Sequence, residues 1–79
     1  MKTIERNEFL DRIRDTLEID GRELTLADEL KQLDEWDSMA CLSVIAMIED
    51  EYGIVLRPSD FIAMERVGDI ASAIEEKKS

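Results

Sequence analysis

EWDSMACLSVIAMIEDEYG, residues Glu35 to Gly53, decides how the rest of the chain reads. Cys41, Ile45, Ile48 and Tyr52 recur at intervals of three and four, the spacing of one helical face. Leu42 and Val44 flank this stripe, and Ala40, Ser43, Met47, Asp50 and Glu51 fall on the opposite side. The pattern predicts an amphipathic helix that opens near Ser38 and ends at Tyr52, where Gly53 supplies the permissive C-terminal position. The only tryptophan, Trp36, stands just before the opening. Two readings of Ser38 are open. Serine is among the best N-caps, and a serine at a helix start also offers an exposed hydroxyl beside free backbone N–H groups.

Working outward, a first helix is expected from about Thr3 to Leu17. Ile4, Leu10, Ile13 and Leu17, with Phe9, share one face, and Glu5, Arg6, Glu8, Asp11, Arg12 and Asp15 cover the other. Thr3 is the expected cap, and Asp20-Gly21 the expected stop. Residues 19–37 read as an irregular stretch anchored by Leu24, Leu26, Leu30 and Leu33; so long a loop in a small domain often serves function. Ile54, Val55 and Leu56 plug the bundle from a connection, and Pro58, Ser59 and Asp60 open a short third helix through Phe61, Ile62 and Met64. Val67, Ile70, Ala71 and Ile74 predict a last helix to about Lys77, with Lys77 and Lys78 at the negative dipole end. The expected class is all-α: one domain over 1–79, a small four-helix bundle with a long first loop and a short third helix.

Composition narrows the function. Seventy-nine residues give one core and no deep cleft for several catalytic groups. A net charge of −10, from 20 acidic and 10 basic residues, argues against nucleic acid and anionic membrane as partners and fits a soluble monomer that meets basic surfaces. From Gln32 to Leu56 there are six carboxylates and no lysine or arginine, either a solvated face or a docking surface. The N-terminal MKTIERNEFLDR has no apolar run for a signal or a spanning helix, so the cytoplasm is the expected location. With one cysteine and no histidine, neither a disulfide, a zinc site nor a Cys–His pair is expected. Cys41 has no base to activate it and reads as a small core residue; no catalytic residue and no metal site are assigned.

On these residues the chain resembles the acyl carrier protein family, with its peptidyl and aminoacyl carrier relatives. Asp37-Ser38-Met39 opens the amphipathic helix, Glu49-Asp50-Glu51-Tyr52-Gly53-Ile54 closes it, and Val67-Gly68-Asp69-Ile70 is similar to the family's last-helix opening. The resemblance implies that Ser38 bears 4′-phosphopantetheine, taken from coenzyme A by a phosphopantetheinyl transferase. It implies that Asp37 helps position the transferase's magnesium or caps the helix, and that Met39 and Leu42 bracket the attachment point and begin the apolar interior. Carriers do no chemistry themselves; the arm's thiol holds cargo as a thioester and delivers it at high effective concentration. Four-helix carriers shelter apolar cargo between helices, here among Leu42, Ile45, Ile48 and Ile62. The implied partners are an acyl- or aminoacyl-activating ligase and acyltransferase or ketosynthase enzymes with basic docking patches.

Several residues depart from the family pattern. Glu35-Trp36 replaces a small, Gly-containing lead-in, and Trp36 is either a loop anchor or a docking residue. Ala40 and Ser43 stand where fatty acid carriers usually place acids, with Met47 on the same side. Together with Asp34, Glu35, Trp36, Glu49 and Asp50 they form the expected partner face, and they point to a dedicated biosynthetic pathway. Arg66 occupies the place of a capping Thr, a loss worth about 1 kcal/mol. The alternatives are an aminoacyl or peptidyl carrier loaded by an adenylating ligase, and an unmodified four-helix interaction module in which Ser38 is only a cap.

Overall fold

In the computed structural model, which describes residues 4–78, three α-helices carry the fold: α1 (Arg6–Thr16), α2 (Ser38–Tyr52) and α3 (Val67–Lys78). Single 3-10 turns occupy Leu30–Gln32 and Pro58–Phe61. The turn at Pro58–Phe61 stands where a short third α-helix was expected, so the α-helix count is three rather than four. Its bonds stay at the tighter spacing, Ile62 N–H to Ser59 O at 3.3 Å and Met64 N–H to Phe61 O at 3.1 Å. They do not propagate, because Glu65 N–H turns forward to the Asp69 carboxylate at 2.8 Å instead of back to the turn, and the chain goes on extended into a bridge between Glu29 and Arg66.

Helix α1 is capped by Glu5, whose carboxylate accepts from the N–H groups of Asn7 and Glu8 at 3.2 and 2.7 Å. Thr3, the expected cap, lies outside the described residues. The helix stops before Asp20-Gly21: Ile19 N–H reaches Arg14 O at 2.9 Å and Glu18 N–H reaches Asp15 O at 3.2 Å, with Glu18 at φ +56°. Buried Ile19 anchors this reversal. A glutamate pays a steric penalty in the left-handed region that glycine avoids. Relief of roughly 1–2 kcal/mol, less the roughly 0.5–1 that glycine's entropy takes, makes Glu18→Gly stabilising by about 0.5 kcal/mol. Urea midpoints will show the shift.

The core is aliphatic around two rings, Phe9 and Phe61. Phe9 and Ile13 of α1, Val44 and Ile48 of α2, and Val67, Ile70, Ala71 and Ile74 of α3 are fully buried. The buried stripe of α2 is therefore centred on Val44 and Ile48, while Cys41, Ile45 and Tyr52 are half-buried at its flanks. Contacts on two sides, with α1 and with the Pro58–Phe61 turn, widen the apolar face. Ala40 and Met47, expected opposite the stripe, are consequently half-buried and pack on the core. Of the Ile54–Leu56 connection, Leu56 is buried and Val55 faces out. Arg12 ties α1 to the end of α2: it pairs with Glu8, meets Glu51 at 3.0 Å and Tyr52 Oη at 3.2 Å, and lies 5.3 Å from the Tyr52 ring centre.

The long first loop is pinned to the head of α3. Val67 N–H donates to Asp28 O at 2.9 Å and Gly68 N–H to Leu26 O at 2.8 Å. A Cβ on Gly68 would stand 3.0 Å from Leu26 O, so a larger residue would have to push that carbonyl back by a few tenths of an ångström. The Asp69 carboxylate accepts from Glu65 and Arg66 N–H at 2.8 and 2.9 Å, so the helix is capped despite Arg66 in the capping position. The bonds from Arg66 and then Glu65 hold the Asp69 carboxyl below its ordinary range. A depressed pKa contributes stability above the unfolded value, about 3.9, that is lost as pH falls through the folded one. Asp69→Ala is expected to cost about 1 kcal/mol at pH 7. Its difference from wild type should shrink below about pH 4, measured by thermal melts at both ends of the range.

Candidate functional site

At the head of α2 the question of Ser38 is resolved by its neighbour. Asp37 has extended backbone, φ −151° and ψ −171°, and its Oδ1 accepts from Ala40 N–H at 2.8 Å. Asp37 is therefore the N-cap, and Ser38 is the first helical residue. Ser38 is exposed, and its hydroxyl is not the group that closes the helix. Two adjacent residues of good capping chemistry left this choice open in the sequence. Backbone geometry decides it.

Around Ser38 the surface is more apolar than expected. Met39 is 73% exposed and Leu42 54%, so neither begins the interior as anticipated. Ile62, in the connection beyond the Pro58–Phe61 turn, is 85% exposed. Between α2 and this turn lies a groove of about 420 Å³, walled by Trp36, Cys41, Leu42, Pro58, Phe61 and Ile62, with Asp37 and Ser38 also lining it. Trp36 packs on Phe61 with ring centres 5.8 Å apart and planes tilted by 38°, which makes it a loop anchor that also forms groove wall. Ile45 and Ile48, expected to line a cargo space with Leu42 and Ile62, do not reach the groove; Ile48 is fully buried. Cys41 is half-buried in the wall, and desolvation pushes its thiol up from the ordinary range. The opposite wall was missed in the sequence because Pro58 and Phe61 come to Ser38 only through the tertiary fold.

The acidic stretch is not one set. Glu35 is paired with Arg22 and Glu51 with Arg12, while Asp37 is the cap. Asp34, Glu49 and Asp50 are exposed and form no ion pair among the described residues. Of Ala40, Ser43 and Met47, only Ser43 is exposed. The outward stripe of α2 is Met39, Leu42, Ser43, Ala46, Glu49 and Asp50, at helical spacing. Among the described residues no group of three or more His, Cys, Asp or Glu could hold a metal ion, and no helix is long and apolar enough to cross a membrane.

Comparison with known proteins bears on this geometry. Residues 7–74 match the family described as phosphopantetheine attachment site. Acyl carrier protein MbtL from Mycobacterium sp. (strain MCS) is 32% identical over 65 residues, which span 82% of this chain and 73% of that protein. The solution NMR structure of holo acyl carrier protein from Geobacter metallireducens superposes with a TM-score of 0.76 at 24% identity, covering 91% of this chain and 83% of the other. That similarity is one of fold.

Proposed function

The chain belongs to the phosphopantetheine attachment-site family, that of the acyl carrier proteins, and from that premise we propose that Ser38 Oγ is the atom that bears the group, as a phosphodiester. In this family the group is 4′-phosphopantetheine, held covalently; when bound it supplies a thiol on a flexible arm, which keeps an acyl cargo activated as a thioester. The observation that carries the assignment is the division of labour at α2. Asp37 closes the helix, which leaves the Ser38 hydroxyl exposed for attachment. The residues fit the group. A phosphate on Oγ lies at the open first-turn N–H groups and the positive dipole end. Asp37 holds the first turn rigid and, through its second oxygen, gives a transferase's magnesium a carboxylate beside the acceptor hydroxyl.

The rest of the site presents what the arm carries. Met39, Leu42 and Ser43 form the centre of a docking face, with Asp34, Glu49 and Asp50 at its edge, for enzymes with basic patches: the transferase, an acyl-activating ligase and an acyltransferase or ketosynthase. The family's acidic positions at Ala40 and Ser43 are uncharged here, which favours a dedicated biosynthetic pathway over general fatty acid synthesis. Catalysis belongs to the partners, since the chain has no histidine to act as base beside Ser38.

Incubation with coenzyme A and a broad-specificity phosphopantetheinyl transferase tests the assignment. Intact mass should rise by one arm per chain, and fragment ions should put the arm on Ser38 rather than Ser43 or Ser59. No increase, or an arm elsewhere, refutes it.

A further inference from the structure

A second groove, of about 590 Å³, lies between α1 and the first loop. Leu10, Leu24 and Leu26 give it apolar walls; Leu24 is buried, while Leu10 and Leu26 are half-buried against the core. Arg6 and Arg14 are the first and last residues of α1 that line it, eight positions and so about 12 Å apart along the axis. Arg14 stands out. Its Nε is buried with no hydrogen-bond partner, and its guanidinium forms no ion pair among the described residues. Buried donors are nearly always satisfied, and a guanidinium cannot shed its charge to escape the cost. Arg12 and Arg22 are held by glutamates, and Arg6 reaches Glu75 at 3.7 Å. Asp11 and Glu23 also line the groove, yet neither pairs with Arg14.

We propose that this groove docks an extended segment of a partner protein, which sets a single carboxylate on Arg14 and an aliphatic side chain on Leu10 and Leu26. The proposal is independent of Ser38 and of the acidic face of α2. A carboxylate supplies what Arg14 lacks, because the planar guanidinium can give it two parallel N–H···O bonds, strengthened where water is partly excluded. An aliphatic side chain completes the burial of Leu10 and Leu26. The distance from Arg6 to Arg14 accepts about four residues of extended chain, more than a small acid would use. Asp11 and Glu23 set the limit. A run of acids meets like charge there, so the fitting sequence has one carboxylate between uncharged neighbours. The chain then offers its partners two chemistries, carboxylates along α2 and an arginine fork beside α1.

The test uses the unmodified full chain and two peptides, acetyl-Leu-Leu-Glu-Leu-amide and its isostere acetyl-Leu-Leu-Gln-Leu-amide, followed by amide NMR. The glutamate peptide should shift the Leu10, Thr25 and Leu26 amides and bind about tenfold more tightly than the glutamine peptide, the scale of one charge-assisted pair. Arg14→Gln should erase that preference, and Arg14→Lys, which keeps the charge without the fork, should retain part of it. Lys31→Gln, an equal loss of charge at an exposed position, should leave it whole. Equal affinity of the two peptides for the wild-type chain, or none, overturns the proposal, and that comparison needs no variant to fold. A preference reduced as much by Lys31→Gln as by Arg14→Gln overturns it in favour of net charge alone. Shifts confined to Ser38, Met39 and Leu42 overturn it in favour of the α2 face. If acetate at the same concentrations produces the same shifts, the site takes a small acid and segment docking is overturned.

Discussion

Replacing Ser38 with alanine takes arm addition from one per chain to none and leaves the fold standing. On the proposed attachment at Ser38 the hydroxyl is the acceptor, so its loss is complete rather than partial. Stability is spared because the capping bond belongs to Asp37, whose Oδ1 holds Ala40 N–H at 2.8 Å whether residue 38 is serine or alanine. Ser38 is exposed, and alanine is the better helix former, so the change should lie within about 0.5 kcal/mol. The neighbouring variant behaves oppositely. Asp37→Ala removes the cap and should cost about 1 kcal/mol. It keeps the acceptor, so the arm is still added, but more slowly. Intact mass and urea midpoints on the two variants separate the roles. An alanine variant at 38 that still gains the arm displaces the site; one that loses stability while Asp37→Ala loses none reverses the cap.

The two residues show what was readable in the sequence and what was not. Helical spacing located α2 from Ser38 to Tyr52, and Gly53 does take the left-handed end position, φ +69°. Spacing did not set which side is buried. Cys41, Ile45, Ile48 and Tyr52 make a regular stripe, yet a helix packed on two sides centres its burial on Val44 and Ile48. The same limit applies wherever a distant partner decides. Glu65 gives its N–H to the Asp69 carboxylate rather than back to the turn, and so Pro58–Phe61 stays one 3-10 turn. Asp69 caps α3 where Arg66 seemed to leave it open, and Asp60 does the same for Arg57 N–H at 2.8 Å. Local chemistry marked the serine; tertiary contacts built the groove beside it.

Reversing Glu49 and Asp50 to lysine should slow arm addition by about tenfold or more at low salt, the scale of electrostatic steering. These two acids share the outward stripe of α2 with Met39, Leu42 and Ser43, about 16–18 Å along the axis from Ser38. They also sit at the helix's C-terminal end, where carboxylates oppose the dipole and no basic residue balances them. A placement that costs helix stability is best explained by a partner that reads it. Lysines there favour the helix end, so a lower rate cannot be assigned to unfolding. The control must change net charge equally without touching structure. Glu5 and Glu8 fail on that count, because Glu5 caps α1 and Glu8 pairs with Arg12. Asp15 and Asp20 are exposed and form no ion pair among the described residues, so Asp15→Lys with Asp20→Lys is the matched pair. Initial rates of arm addition should separate the two variants widely at low salt and converge as salt rises, since screening at about 8 Å near physiological strength removes steering first. Equal slowing by both pairs would mean that the transferase responds to net charge alone, and the docking face on α2 would have to be abandoned.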